Sequence, residues 1–455
     1  MADVATTVAP LVRRLLGGAL PVRLEAWDGS HAGPDVPRGA EALIDDAAAE
    51  TGHLTIVVRS PDALRRMLFA PGELGMARAY VAGDIDIDGD IFALLDLRHR
   101  LGAAGDHVRV GPSLTDIGAV VGILRRLGAL GRPLPAPEEE QRRRGRRHSR
   151  RRDASAVRHH YDVGNDFYDL VLGPALTYSC AYWGDGVDDL ETAQRAKHEL
   201  VCRKLGLAEG MRVLDVGCGW GSFVIHAARH HGVDAVGITL SPEQADGARA
   251  RVAEAGLEDR VEIRLQDYRD VTDPPFDAVA SVGMFEHVGA AEADTYAAAM
   301  AALLVPGGRL LNHAISRPDP HADAGIHARS FIGRYVFPDS ALHEVGQVVS
   351  ALQGAGLEVR DLESLREHYA RTLRAWVANL QGDWARAQRL VGPGRARTWR
   401  LYMAGSAVAF EAHRISVHQV LAVRPHADGT SAFPATREWL ARPLVADGTG
   451  GAVGG

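Results

Sequence analysis

The stretch "VLDVGCGWGSF" (Val213–Phe223) decides the fold. Val213, Leu214 and Val216 read as a buried strand, and Gly217, Gly219 and Gly221 as a tight turn leading into a helix. Glycines there let a backbone approach a ligand closely, and the helix N-terminus that follows favours negative charge. Such a turn can serve NAD, FAD or S-adenosylmethionine, or merely join a strand to a helix. Two details select S-adenosylmethionine. Asp215 sits inside the strand end, just before the first glycine, where it suits the amino-acid end of that cofactor. The spacing is Gly-Cys-Gly-Trp-Gly, whereas dinucleotide sites carry two glycines and a third three places on.

Outward from this turn, strand and helix signals alternate. "RVLDVG", "DAVGITL", "VEIRLQD", "FDAVASVG" and "RLLNHAIS" are short apolar runs separated by helical stretches. That alternation predicts an α/β fold, a doubly wound and mostly parallel sheet. The second run ends "GITLSPEQ" and lacks the acid that grips a ribose in dinucleotide folds. Thr239, Leu240 and especially Gln244, on the first turn of the next helix, are the candidates to replace it. In "LQDYRD" (Leu265–Asp270), Asp267 and Tyr268 are placed to take the adenine edge and face.

Upstream, Val22 to Leu97 predicts a smaller α+β unit. "HLTIVV" (His53–Val58) is a strand, Ser60–Phe69 a helix with Ser60 as N-cap, and Ile85, Ile87 and Ile91 mark a strand entering a helix. Thr115–Pro133 puts Ile117, Val120, Val121, Leu124 and Leu127 on one helical face, expected to pack on this unit. Then "PLPAPEEEQRRRGRRHSRRRD" turns from Pro-rich to acidic to basic, an exposed linker. The division is therefore 1–130 for the small domain, 131–155 for the linker, 156–425 for the catalytic domain and 426–455 for a partly disordered tail. Hydrophobic content of 46% and charged content of 24% suit a soluble protein with room for a sizeable core. Three cysteines make no disulfide framework and suggest a cytoplasmic setting; neither a signal peptide nor a bilayer-spanning run is read, and no metal-ligand motif.

Several longer blocks resemble one family. "HYDVGNDFYDLVLGPALTYSCAYW", "VLDVGCGWGSF", "GITLSPEQ", "SVGMFEHVG", "NHAIS" and "YVFP" are similar to the cyclopropane-fatty-acyl-phospholipid synthases and their mycolic-acid-modifying relatives. The resemblance implies a Rossmann-like class I methyltransferase domain behind a smaller N-terminal domain. It also implies the chemistry. The methyl of S-adenosylmethionine goes to a cis double bond of an acyl chain, leaving a carbocation. Loss of a proton from the new methyl closes a cyclopropane; relatives resolve the charge to methylene, including 10-methylene, methyl-branched or oxygenated products. The family holds a bicarbonate ion as base. Carried over residue by residue, its ligands would be Cys180, Glu286, His313, the backbone at Ile315, and Tyr369. Tyr178 and Ser179 of "TYSCAYW" would touch the cofactor, and Tyr161, Tyr182, Trp183, Tyr335 and Phe337 would line the acyl channel.

The chemistry suits such residues. An alkene is a weak nucleophile, so the enzyme must exclude water, surround a cation with aromatic faces and offer one base. Glu286 would repel an anion unless protonated, so it is expected to share a proton with the bicarbonate or to orient His313. Taken singly, Cys180 and His313 read as core residues before functional ones, and Tyr369 could be packing only; Cys202, Cys218, His287, Trp376 and Trp384 are read as structural. "RPDPHADAGIHARSFIGRYVF" (Arg317–Phe337) is expected to cover the acyl site. The eight arginines between Arg142 and Arg152 are a solvated linker, a contact for anionic phospholipid heads, or a nucleic-acid site, the last ranked lowest because no recognition motif accompanies them. The expected partners are phospholipid acyl chains at the inner membrane face, with a separate reductase if the product is a methylene lipid. A homo-oligomer stays open. The rival readings are a methyltransferase of nucleic acid and a catalytically silent lipid-binding relative.

Overall fold

Short strands build a first sheet: β1 (Arg23–Ala26), β2 (His31–Ala32), β3 (Thr55–Val58) and β4 (Ile85–Asp88), in the order β2-β1-β3-β4. In this computed structural model, the residues described are 3–15, 20, 22–33, 54–103, 114–141, 164–319, 321, 330–337 and 341–437. The helices Val4–Leu15 and Leu114–Arg126 close the core of this unit through Val8, Leu11, Val120, Ile123 and Leu124, against Leu24 and Val58. The apolar helix read from sequence is thus core of the first unit, as its 3–4 spacing requires. The cap expected at Ser60 lies one place further out. Pro61 is the N-cap of Asp62–Phe69, and the Ser60 hydroxyl accepts from Asp62 N (3.1 Å) and donates to Asp84 (2.8 Å).

The chain clusters into two units that do not follow its linear order. The first is Met1–Arg143 with His327–Pro338 and Trp384–Val408; the second is Arg144–Ile326 with Asp339–Asp383 and Ala409–Gly455. Two segments expected in the catalytic domain therefore belong to the first unit, and ionic contacts explain why. Arg397 donates to both oxygens of Asp86 (3.2 and 2.8 Å), and Arg400 donates to the Tyr80 hydroxyl (3.0 Å). The expected exposed linker is likewise corrected at Glu140, whose side chain is only 1% exposed. Arg78 donates to both its oxygens at 2.6 and 2.7 Å, and Tyr335 donates to it at 3.3 Å. A forked pairing of this kind offsets the cost of taking a carboxylate out of water. The arginine run itself lies outside the described residues.

The second unit carries β5 (Arg212–Val216), β6 (Asp234–Thr239), β7 (Val261–Leu265), β8 (Phe276–Val282), β9 (Leu304–Arg317), β10 (His343–Glu344), β11 (Glu358–Ser364) and β12 (Ser416–Val423). Their order is β11-β12-β9-β8-β5-β6-β7, with β10 paired to β9. β5 to β9 are the five apolar runs of the sequence, and every pairing among them is parallel. β12 runs antiparallel between β9 and β11. Strand alternation sends Val213 to one core and Leu214 and Val216 to the other, so both faces of the sheet are covered. Strand order reverses between β5 and β8, which stay parallel, and such a switch point opens a ligand crevice at the strand C-termini. Part of the expected tail is ordered. Phe433 lies under the guanidiniums of Arg309 (4.6 Å) and Arg360 (4.9 Å); residues 438–455 are outside the described set. No described helix is long and apolar enough to cross a membrane.

Glu140→Ala leaves Arg78 without its buried counter-charge. It should lower stability by about 2–3 kcal/mol in urea titration, and Glu140→Gln by less. An unchanged midpoint for Glu140→Ala would show that the pair holds nothing in place.

Candidate active site

The glycine turn is fastened from one side and open on the other. Gly217 N and Cys218 N both donate to the Ile238 carbonyl (3.0 and 2.9 Å), pinning the turn to the end of β6. Gly219 has φ +56°, and a Cβ built there would meet nothing within 4 Å, so its backbone faces free space. Gly221, at φ +77°, would press a Cβ to 3.3 Å from Ala248, which fixes the helix start Ser222–His231 against its neighbour. Beneath the turn Asp215 is 3% exposed; burial pushes its carboxyl up to about 7, against the pull of the Lys197 ammonium. Lys197 is 2% exposed, and burial pushes it down to about 8. An open backbone above a buried carboxyl fits the amino-acid end of S-adenosylmethionine.

The candidates for the rest of that cofactor stand at neighbouring strand ends. The Thr239 hydroxyl donates to Gln244 Oε1 (2.8 Å), holding the two as a buried pair beside half-buried Leu240. Asp267 does not offer free oxygens: Arg269 Nε reaches one at 2.8 Å and Nη2 the other at 2.5 Å. Any contact of Asp267 with adenine must share that ion pair. Tyr268 meets Tyr296 edge-on, with ring centroids 5.6 Å apart.

The second cluster forms where β9 outruns β8. Pairing of the two ends at Val282 with His313, and Gly283 N donates to the His313 carbonyl at 2.9 Å. The next inward-facing amide on that edge, Ile315 N, donates to Glu286 Oε1 at 2.7 Å. Ile315 N is therefore already paired, and the backbone there would meet an anion only by sharing this contact with Glu286. Burial pushes the Glu286 carboxyl up to about 7, with the Ile315 amide opposing. His313 is buried and pushed down to about 3, by burial first and then by Lys197, Lys204 and His418. Its orienting partner is not Glu286 but Gln419, whose side-chain nitrogen lies 3.1 Å from Nδ1. With Gln419 donating, the imidazole proton resides on Nε2. Glu286 Oε2 and His313 Nε2 are both buried without a hydrogen-bond partner. Two orphaned polar groups at one strand end, one a donor and one a carboxyl neutral below about pH 7, fit a small anion such as bicarbonate.

Cys180 and Tyr369 reach the same strand end by a chain of backbone contacts. Ile315 pairs with Val417 across β9 and β12. Leu365 N donates to the Val417 carbonyl (2.9 Å), and the Leu365 carbonyl accepts from Tyr369 N (3.0 Å) and from Cys180 Sγ (3.7 Å). Burial holds the Cys180 thiol well above its usual range, so it is a neutral donor and not a nucleophile. Tyr178 stacks on Trp376 (5.3 Å between centroids), and Trp376 meets Tyr369 edge-on at 6.0 Å. Half-buried Ser179 lies between Tyr178 and Cys180. Tyr182 stacks on His368 at 4.6 Å. Trp183 is packed with Ala181, Val187 and Ala193; its indole N–H donates to Thr372 (3.0 Å), and Arg371 covers the ring at 4.6 Å.

Not every expected residue joins this group. Tyr161 and, within Arg317–Phe337, residues 320 and 322–329 lie outside the described residues. Tyr335 and Phe337 belong to the first unit, Tyr335 bound to Glu140 and Phe337 edge-on to Tyr402. Sequence reading missed Gln419, Lys197 and Thr372 and set Trp376 aside as structural. The pattern "SVHQVLAV" carried the one usable signal, a glutamine and its neighbouring histidine within a strand that is otherwise mostly apolar. Asn312, the residue before His313, points to the opposite face of β9, where its Oδ1 is 3.0 Å from the Tyr296 hydroxyl.

Comparisons with known proteins agree with one another. The family model described as "Mycolic acid cyclopropane synthetase" matches residues 148–420. A "Probable fatty acid methyltransferase" of Mycobacterium tuberculosis is 41% identical over 93% of this chain and 95% of its own length. The cyclopropane-fatty-acyl-phospholipid synthase of Escherichia coli K12 is 35% identical over 80% of this chain and 87% of its own. The crystal structure of mycolic acid cyclopropane synthase CmaA1 with SAH and CTAB superposes with a TM-score of 0.56 at 34% identity, covering 59% of this chain and 97% of that one.

The buried carboxyl makes stability depend on pH. Its folded value of about 7 lies above the ordinary 4.5, so the folded state holds an extra proton between them. Stability therefore falls as pH rises through that window, by on the order of 3 kcal/mol for this group. Glu286→Gln keeps the acceptor for Ile315 N and removes the penalty. The variant should gain in melting temperature over the parent from pH 5 to pH 8; a constant difference would mean that Glu286 is ionised throughout.

Proposed function

The chain belongs to the mycolic acid cyclopropane synthetase family of S-adenosylmethionine-dependent C-methyltransferases acting on fatty acyl chains, and on that premise we propose that its substrate is the cis double bond of a phospholipid acyl chain. The product is a cyclopropane or a 10-methylene chain, and the enzyme works at the membrane surface that presents such chains. The observation that carries this reading is the pair of buried, unpartnered atoms Glu286 Oε2 and His313 Nε2. Such atoms cost stability unless something binds there.

Asp215 and the Gly217–Gly221 turn would hold S-adenosylmethionine, and Glu286, His313, Cys180 and Tyr369 would surround a bicarbonate ion. When bound, these two supply an electrophilic methyl and a base. The chain's own part is mostly electrostatic. His313, neutral and protonated on Nε2, donates to an anion without adding a positive charge near the reacting carbon. Glu286, protonated below about pH 7, shares its proton with that anion and does not repel it. The faces of Tyr178, Trp376 and Tyr369 favour a cation, and the burial of the cluster keeps water from trapping it. A methylene product would pass to a separate reductase, which is then a partner in the same sequence of reactions.

Three measurements check this. Vesicles of oleoyl phospholipid incubated with the chain and methyl-labelled S-adenosylmethionine should acquire label in the acyl chain, and mass spectrometry assigns the ring or the methylene. Label found only in added RNA or DNA, or nowhere, would refute the reading. Cys180→Ala should lower turnover far more than it weakens S-adenosylmethionine binding; equal losses return Cys180 to packing. Gln419→Glu would draw the imidazole proton to Nδ1 and leave Nε2 a bare acceptor. Turnover should fall about a hundredfold with the cofactor Kd unchanged.

A further inference from the structure

Away from the glycine turn, two helices of the second unit bring together donors of a different kind. Glu199 and Cys202, three apart on Leu190–Leu205, share one face of that helix. His226 and His231 stand on Ser222–His231, the helix that leaves the glycine turn. One ligand atom each from Cys202, His226 and His231 lie within 4.8 Å of one another, the only such cluster among the described residues. Glu199 Oε2 is 3.0 Å from His231 Nε2 and 3.5 Å from His226 Nε2.

We propose that Glu199, Cys202, His226 and His231 bind one divalent transition ion of the zinc class. One thiolate, two imidazoles and one carboxylate form a donor set suited to tetrahedral zinc. The edges of such a tetrahedron are roughly 3.3–3.8 Å, so the groups close by about an ångström, within the reach of side-chain rotation. The sulfur is fully buried, while the side chains of His226, His231 and Glu199 are 13%, 18% and 19% exposed. The soft donor thus lies at the inner end of a site that an ion can enter from solvent. Glu199 is already oriented: Arg203 Nε holds Oε1 at 2.7 Å and leaves Oε2 toward both imidazoles. His226 Nε2 is buried with no hydrogen-bond partner, and a metal bond would satisfy it. On binding, Cys202 releases its proton to solvent, and thiolate and carboxylate together neutralise the ion's charge.

The rings of His230 and His198 lie 4.5 and 5.7 Å from His226, between centroids, and His230 is the ready substitute if one imidazole turns away. Bare hydrogen bonding of Glu199 to His231 is the ordinary alternative, and it leaves Cys202 to core packing alone. Occupied, the site clamps the helix leaving the glycine turn to the helix ahead of β5. That holds the middle and the C-terminal end of Ser222–His231 without contributing to the methyl-transfer chemistry.

The test uses the full chain without an affinity tag, stripped with a chelator and titrated with cobalt(II) chloride. One equivalent should give a thiolate-to-cobalt charge-transfer band, which equimolar zinc chloride erases. Cys202→Ser should abolish the band; His231→Gln, at the partly exposed end of its helix, should weaken zinc binding at least about tenfold in chelator competition while keeping the parent circular dichroism. Zinc should raise the melting temperature of the parent and not of the double variant His226→Asn/His231→Gln. No band at tenfold excess cobalt, a band surviving in Cys202→Ser, or an unchanged affinity in His231→Gln would each overturn the proposal.

Discussion

The site rests on one constraint: β9 runs past the end of β8, and its backbone polar groups must still find partners. Buried amides are almost never left unpaired. On one edge β12 satisfies them, pairing Ser416–Val423 against Ser316–Arg309. On the other edge, beyond His313, the Glu286 carboxylate takes Ile315 N and β10 takes the last residues. A side chain thus substitutes for a strand. The substitution brings a carboxyl to the strand end that carries His313, two residues before Ile315, and β12 brings Gln419 opposite that histidine. Satisfying the backbone and assembling the chemistry are one event.

This explains what could and could not be read from sequence. The strands from β5 to β9 were legible because fully buried parallel strands are continuous apolar runs, and the glycine turn because its residues are local. The active-site set was reached by resemblance; composition and spacing left Cys180, His313 and Tyr369 ambiguous. β12 and its Gln419 were missed because an antiparallel strand inserted between β9 and β11 arrives from about a hundred residues downstream of β9, and no local pattern announces it. Clustering by contacts departs from the linear division for a related reason. Arg397 and Arg400 find their partners at Asp86 and Tyr80, so the first unit recruits helix residues that the linear texture assigned elsewhere. Trp376 looked like packing because sequence cannot show that one indole touches both Tyr178 and Tyr369.

Burial sets the protonation states on which the proposed chemistry depends. A carboxyl in water would be ionised and would drive an anion away; inside the second unit Glu286 titrates near 7 and His313 stays neutral to about pH 3. Cys180, likewise, is kept a thiol. Each of these states weakens the folded chain relative to a solvated one, which is the common cost of a preorganised site. The compensation comes from the covered sheet: both of its faces are packed, with Val213 and Phe223 in one core and Leu214, Phe276 and Tyr296 in the other.

Lys197 joins the two halves. It is one of two lysines in the chain and is almost fully buried. Its charge lowers the carboxyl of Asp215 under the glycine turn, lowers the thiol of Cys180 and lowers the imidazole of His313. A single cation within electrostatic reach of all three favours negative charge at the cofactor's amino-acid end and at the anion cluster alike. It also keeps His313 from acquiring a second proton. The same residue that costs burial energy therefore acts on both subsites, and its position on Leu190–Leu205, a helix packed on β8 and β9, is where one charge can serve them together.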